Sequence, residues 1–536
     1  MKYKKVIFKT ALQWTKTFLI FWVLFNLLAG CKKDEISSDP DVKLEFSTDT
    51  VTFDTVFTTI GSATRTLKVY NPSSQKIAVS EISLAGGSGS VYRMNVDGEA
   101  ALSVHDVIIE AKDSLFIFIR VTIDPTNENN PFVVEDDLRF LTNGNEQTVK
   151  LEAWGQNAHY IVADTYTPGF PEYKIIADSL ETVHWTNERP YVIYGYAVIN
   201  SYGTLIIDPG TKVYFHANSG LWAYADGLLK VIGTQDDPVV FAGDRLEAEY
   251  QELPGQWDRI WLMESTPGTN HEIRNAVIKN AFVGIQTESF LKVAENFLIL
   301  ENVTVENMTG IGIYSRIYNI VGGNVVVANC GGYGLAFTGG GNYGLVHTTL
   351  ANYWNYGVRK TPTLFLNNFI LDTLENPIPI PMNFYLGNSL LYGNNDEEFE
   401  TEMTEGADSA YLFKYVLMKT ERATDDPSLF DSVWVNKDPL FHDVEGNDYR
   451  LDTLSPAIDR GSEEIALDFP EDIRGQSRLP KPDLGAYEYI PGEDTTGEKR
   501  FNAFVSRPAS LVGQRKLNKF LKRTHVPDGT KRINLK

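Results

Sequence analysis

The sequence predicts an all-β protein whose main body is a parallel β-helix and whose N-terminal part is a β-sandwich. Three observations predict it: a short repeat marked by asparagines, β-branched segments on both sides of that repeat, and a change of texture before about residue 158. The repeat runs from Asn275 to Tyr392. Its cores are Ala276-Val277-Ile278-Lys279, Val303-Thr304-Val305-Glu306, Val325-Val326-Val327-Ala328, Thr348-Thr349-Leu350-Ala351, Phe369-Ile370-Leu371-Asp372 and Ser389-Leu390-Leu391-Tyr392. Asn275, Asn302, Asn324, Asn368 and Asn388 precede five of them and His347 precedes the other, at intervals of 27, 22, 23, 21 and 20 residues. Such a period signals a solenoid and is too short for paired helices.

Within each core the third residue is aliphatic and the fourth varies from Lys279 to Glu306 to Ala328. Period-two alternation places positions one and three inward and position four outward, toward solvent. Short strands bounded by Asn and Gly read as rungs, with a second short strand opened by Gly284, Gly310, Gly334 and Gly357. Rungs stacked about 4.8 Å apart bring equivalent residues into register. Aliphatics then form a continuous core, and turn asparagines can bond to their counterparts in a ladder. Ordinary turn chemistry explains the same asparagines, since Asn tolerates the left-handed conformation. Cys330 reads as a small buried filler.

Upstream, Leu205 to Thr211, Gly220 to Ala223, Gly227 to Thr234 and Pro238 to Phe241 read as first coils. Downstream, Asp438-Pro439-Leu440-Phe441, Tyr449-Arg450-Leu451, Ser455 to Gly461, Asp472-Ile473-Arg474-Gly475 and Asp483-Leu484-Gly485-Ala486-Tyr487-Glu488 follow in order. This series resembles the C-terminal coils of right-handed parallel β-helix proteins of the pectate-lyase-like superfamily, over roughly Tyr191 to Tyr489. The resemblance implies a right-handed coil whose carboxylates and arginines pair to close its end. It implies no particular activity.

Residues 42–157 alternate over Thr64 to Tyr70, Ile77 to Leu84, Val107 to Glu110, Leu115 to Ile123, Asp137 to Leu141 and Thr148 to Trp154. Turn signals such as Asn71-Pro72-Ser73 and Asn143-Gly144-Asn145 separate them, the pattern of a β-sandwich. Leu67 to Ser80 resembles Ig-like domains that precede catalytic or binding domains on cell surfaces, which implies a spacer. The organisation expected is a signal peptide at 1–30, a linker at 31–41, an Ig-like sandwich at 42–157, a β-helix at 158–490 and a basic tail at 491–536.

Five lysines, an apolar run from Phe18 to Leu28 and then Leu28-Ala29-Gly30-Cys31 form a secretory signal, too short for a membrane span. Cys31 after Leu-Ala-Gly resembles the lipobox of bacterial lipoproteins, which implies acylation of its thiol and a lipid anchor in the membrane. Lys33, Asp34 and Glu35 resemble the export signal that sends such lipoproteins to the outer face of the outer membrane. A plain charged tether is the alternative. With Cys31 modified, Cys330 has no thiol partner, so the fold rests on its core alone.

The formal charge is −22. Setting aside the five leader lysines and the net ten positive charges of residues 499–536 leaves −37 on residues 31–498. Such a body repels nucleic acid and anionic polymers. The densest acidic run (Asp396, Glu397, Glu398, Glu400, Glu402 and Glu405) matches no calcium loop and reads as a solvated loop, as does Arg359-Lys360.

A glycosidase needs two carboxyl groups on neighbouring coils. The outward column Lys279, Glu306, Ala328, Ala351, Asp372 supplies no such pair. The histidines lack ligand spacing and Gly339-Gly340-Gly341 lacks the lysine of a phosphate loop, so no catalytic residue, metal or cofactor is assigned. Tyr353, Trp354 and Tyr356 follow the turn at Asn352. Alternation cannot bury all three, which makes them the candidate sugar-stacking residues. The sequence thus predicts an outer-membrane lipoprotein presenting a β-helix for glycan binding or a structural surface role, with a polysaccharide lyase or glycoside hydrolase as the alternative. Its expected partners are the membrane and a polysaccharide; the sequence leaves its oligomeric state open.

Overall fold

The computed structural model describes residues 35–58, 61–125, 132–290 and 292–492. Cys31, Lys33, Asp34, the leader and the basic tail beyond 492 lie outside the described residues, whereas Glu35 is described and exposed. The chain divides into two compact units, Met1–Gln156 and Asn157–Lys536.

The first unit holds two sheets around one core. One sheet joins Thr50–Phe57, Asn145–Gln156, Phe132–Thr142 and Lys76–Leu84, with Ser103–Ile109 added on the last. The other orders Glu45–Phe46, Arg65–Tyr70, Ser114–Val121, Tyr92–Val96 and Glu99–Ala101. Leu67, Val69, Ile117 and Ile119 from one sheet meet Ile77, Val79, Phe140 and Leu151 from the other, all fully buried. Asn143 and Gly144 both take positive φ, 50° and 81°, which is what a two-residue hairpin turn between twisted strands requires. Asn71 is buried and donates to the carbonyls of Gln75, Ile109 and Glu110 at 2.8–3.1 Å, tying its turn to the neighbouring strand.

The second unit is a parallel β-helix with three faces per coil. The first face stacks His159–Val162, Tyr191–Tyr194 and Lys212–Phe215 and continues through 239–241, 276–279, 303–306, 325–328 and 348–351 to 433–435. The second runs from Tyr173–Ala177 through Tyr196–Ile199, Gly220–Ala223, Ile260–Leu262, Val283–Glu288, 313–316, 335–337 and Leu364–Asn367 to Phe399–Glu402. The third runs from Thr182–Trp185 through Thr204–Ile207 and Leu228–Ile232 to 430–431. Inward residues such as Ile278, Val305, Val327 and Leu350 from the first face meet Ile285, Ile313 and Leu335 from the second in one apolar column.

From Asn275 onward, one left-handed residue turns the coil from the third face to the first. Asn275, Asn302, Asn324, His347 and Asn388 have φ between 47° and 56°, followed by Tyr415 and Ser432 at 56° and 59°. Asn suits this corner because its short polar side chain tolerates the left-handed region. The side chains then bond along the helix axis. Asn302 Nδ2 donates to Asn275 Oδ1 at 3.0 Å, Asn324 Nδ2 to Asn302 Oδ1 at 2.9 Å, and Asn388 Nδ2 meets His347 Nε2 at 3.2 Å. His347 is therefore a member of the ladder. A second ladder, Asn319–Asn342–Asn383, stacks on the third face with 2.9 Å steps. At the other corner Gly284 allows the faces to close, since a Cβ there would lie 2.5 Å from Val305 Cγ1.

The structure departs from the sequence-based expectations at several places. Phe369–Leu371 is no rung: it pairs antiparallel with Pro377–Pro379 in a hairpin outside the coil, and the Asn388 rung stacks directly on the His347 rung through Thr349 and Leu390. Pro377, Pro379 and Pro381 lack the N–H groups a parallel ladder needs, which is why this segment leaves the stack. The Gly357-Val358 strand is likewise a loop with Val358 exposed, and the second-face strand of that coil is Leu364–Asn367.

Residues 438–489 form no further coils. The last coil strand is Phe430–Val435, and the chain then folds back along the outside of the first and third faces. Ile473, Tyr449 and Ala486 pack on Val326, Ala328 and Ala351, Leu451, Ala457 and Leu484 on Leu390 and Leu417, and Ile465 and Phe469 on Val321 and Val346. Ala328 and Ala351, expected outward in solvent, are 1% and 0% exposed beneath this roof. The expected arginine–carboxylate closure exists, but on the flank. Buried Arg478 donates to Glu488 at 2.6 Å and to Asn324 Oδ1 of the ladder at 2.8 Å.

Arg359 and Glu398 are not in solvated loops. Their side chains are 2% and 0% exposed and pair through both guanidinium arms at 2.5 and 2.8 Å. Glu398 also accepts from Thr363 N, Thr363 Oγ1 and Asn395 N, so every oxygen is satisfied, which a buried carboxylate requires.

Candidate functional site

The first and third faces are roofed over their central coils; on the second face Trp261, Tyr314 and Phe365 are half-buried and Glu400 is exposed, while Val198, Trp222, Gln286 and Ala336 are buried. The outward positions of the second face stack as Val198, Trp222, Trp261, Gln286, Tyr314, Ala336, Phe365 and Glu400, one per coil. At about 4.8 Å per step the stretch from Trp261 to Phe365 extends roughly 19 Å. Each position faces outward because its strand neighbours face in: Leu221 and Ala223 beside Trp222, and Ile260 and Leu262 beside Trp261, are fully buried.

The upper part of the column is aromatic. Trp222 and Trp261 stack at 4.7 Å with a 9° interplanar angle, and Phe170 stacks on Trp222 from the other side at 5.7 Å. Trp222 is thereby buried, while Trp261 is half-buried with one side toward the next coils. Neither indole N–H has an acceptor among the described residues. Lower down, Tyr314 and Phe365 are half-buried, and Tyr333 lies 5.3 Å from Phe365. Phe282 and Phe290, which flank the 283–288 strand, are 50% and 51% exposed.

Between the rings lies a hydrogen-bonded polar group. Arg259 donates to Asp258 at 2.9 Å and to Gln286 Oε1, Gln286 donates to Glu288 at 3.4 Å, and Arg316 on the next coil donates to Glu288 at 3.0 Å. The Tyr196 hydroxyl donates to Asp258, and burial foremost, then the Asp258 charge, pushes its pKa well above the usual phenol range. Each arginine is already matched by a carboxylate. The group offers both donors and acceptors beside aromatic faces, an arrangement suited to hydroxyl-bearing rings.

The residues singled out from sequence lie elsewhere. Tyr353 turns toward the roof, edge-on to Phe441 at 6.1 Å. Trp354 and Tyr356 come together at 5.2 Å, with Tyr356 54% exposed and its hydroxyl donating to the Glu252 carbonyl at 3.0 Å. Sequence reasoning passed over the second-face column. Its signal was present as tryptophan between inward aliphatics in Leu221-Trp222-Ala223 and Ile260-Trp261-Leu262.

Residues 175–367 match the model of a family described as periplasmic copper-binding protein (NosD), a parallel β-helix family. Its periplasmic setting is consistent with an envelope location, and no helix among the described residues is long and apolar enough to cross a membrane. No curated protein matches the chain. Among solved structures, the catalytic unit of the GH87 alpha-1,3-glucanase from Streptomyces thermodiastaticus is 11% identical, covering 69% of this chain and 87% of that one at a TM-score of 0.25. PapD-like domain 7 of human CEP192 is 14% identical over 24% of this chain and 94% of that one, at 0.16.

The described residues do not fit a copper centre. Among the described residues no three His, Cys, Asp or Glu side chains converge as a metal-binding group. Cys330 is buried, and burial pushes its thiol up to about 12. His271 uses both ring nitrogens on Leu229 N and Met263 O, and burial lowers its pKa to about 4. His347 belongs to the ladder, and His184 and His216 pair separately with Asp208 and Asp244.

Proposed function

We propose that this chain is a lipid-anchored outer-membrane protein, facing the cell exterior, that binds a glycan along the second face of its β-helix without cleaving it. The observation that carries this reading is the outward column from Trp261 to Phe365, where the half-buried rings of Trp261, Tyr314 and Phe365 lie beside the partly exposed Arg316, itself held by the buried Glu288. Aromatic faces supply stacking energy, and the paired charges supply hydroxyl contacts at fixed coil spacing. The strand repeat is close to the length of one extended hexose unit, so successive coils can each meet one sugar. Cys31 supports the anchor, and Lys33, Asp34 and Glu35 support display at the surface.

The test incubates the purified protein with a panel of polysaccharides, scoring retention and the appearance of new reducing or unsaturated ends. Retention without new ends is expected, and Trp261→Ala should weaken it at least tenfold while moving the melting temperature only a few degrees. New chain ends would replace this reading with a lyase or hydrolase, and retention unaffected by Trp261→Ala would move the site off this face. The anchor is tested separately. Cys31→Ser should leave the protein unlabelled by fatty acid and absent from the membrane fraction; continued labelling would rule the anchor out.

A further inference from the structure

A loop between the first-face strand Val239–Gly243 and the second-face strand Ile260–Leu262 carries Glu252 to the corner where the first face turns into the second. Asn280, Asn307 and Asn329 mark that corner on successive coils, and Glu306 precedes Asn307. Asn307 Nδ2 donates to Glu252 Oε2 at 2.8 Å and Asn447 Nδ2 to the same oxygen at 3.2 Å. Lys279 Nζ reaches Glu252 Oε1 at 3.0 Å and is the cross-strand neighbour of Glu306.

The cluster has more acceptors than donors. Among the described residues no hydrogen bond reaches the half-buried Glu306 carboxylate, which lies close enough to Glu252 to feel its charge. Asn280 is 2% exposed; its Nδ2 donates to the carbonyl of Gln251, beside Glu252, and its Oδ1 has no donor. Asn329 Nδ2 is taken by Asn447, and Asn329 Oδ1 also has no donor. Two carboxylates thus share the Lys279 ammonium, beside an Asn280 oxygen that has no donor among the described residues. Leaving a buried acceptor without a donor is costly, so a group that satisfies oxygens fits there.

We propose that this corner binds a hard divalent cation, Ca²⁺ by its chemistry, between the carboxylates of Glu252 and Glu306 with the buried Asn280 oxygen as a neutral ligand. An all-oxygen, irregular set of carboxylates and amide carbonyls suits Ca²⁺, whereas copper and zinc call for the imidazole or thiolate ligands this corner lacks.

The test strips the purified full chain with chelator and titrates CaCl₂, following heat by calorimetry and the melting temperature, against NaCl of equal ionic strength. A saturable one-site binding curve and a rise in melting temperature are expected with CaCl₂ alone. Glu306→Gln should abolish both, and Lys279→Gln, which removes the competing ammonium, should tighten Ca²⁺ binding severalfold. Equal rises with NaCl, no heat in the parent protein, or undiminished binding by Glu306→Gln would each overturn the proposal.

Discussion

The first and second faces of the β-helix use the same strand grammar, yet their outward sides have opposite fates. On the first face, Val326, Ala328 and Ala351 are small or β-branched and lie under Tyr449, Ile473 and Ala486 of the returning segment. On the second, Trp261, Tyr314 and Phe365 are large, half-buried and without such a roof. Small outward residues let a second layer approach; large rings already cover their own strand. The third face follows the first, and there Gly323 makes room for Phe469, whose Cε2 would lie 2.5 Å from an added Cβ. The coil is therefore not symmetric: two flanks carry a second layer, and the remaining face is the one on which the proposed glycan binding rests.

The most demanding test of this difference places one aspartate on each side of it. Val327 is inward and Ala328 outward but roofed, with exposures of 0% and 1%, while Thr338 is outward on the open second face. Val327→Asp and Ala328→Asp should both be severely destabilising, by several kcal/mol, because each buries a carboxylate without a partner. Thr338→Asp, beside Arg316 on the adjacent strand, should stay within about 1 kcal/mol. Thermal melts of the three variants decide the matter. If Ala328→Asp behaves like Thr338→Asp, the roof does not hold the first face closed.

Much of this architecture was legible in the residues. The left-handed corner betrayed itself through Asn275, Asn302, Asn324 and Asn388, and His347 kept the spacing. The column was hidden where other residues take the same backbone, at Tyr415 and Ser432, and mimicked where Asn368 precedes a proline-rich hairpin. Alternation separates the two sides of a strand but is silent on whether the outer side meets water or another layer. That is why Ala328 and the Arg359–Glu398 pair were misplaced. The second-face column was missed for a related reason: its members are about 25 residues apart in sequence and become neighbours only through the register of stacked coils.

The smallest effect expected comes from comparing two carboxylates at that divide. Glu398 is fully buried but accepts from Arg359, Thr363 and Asn395; Glu306, half-buried, accepts from nothing among the described residues. Burial, then the Glu252 charge, raises the Glu306 carboxyl to about 7, against an ordinary value of about 4.3. Between those values the folded chain holds a proton that the unfolded chain releases, so stability falls as pH rises through the window and levels off above it. Glu306→Gln fixes the uncharged form. In chelator-containing buffer it should melt above the parent protein at about pH 8, with the gap narrowing as pH falls and closing near pH 4. A gap that stays constant across that range would mean Glu306 titrates normally, and that Lys279 alone balances the corner.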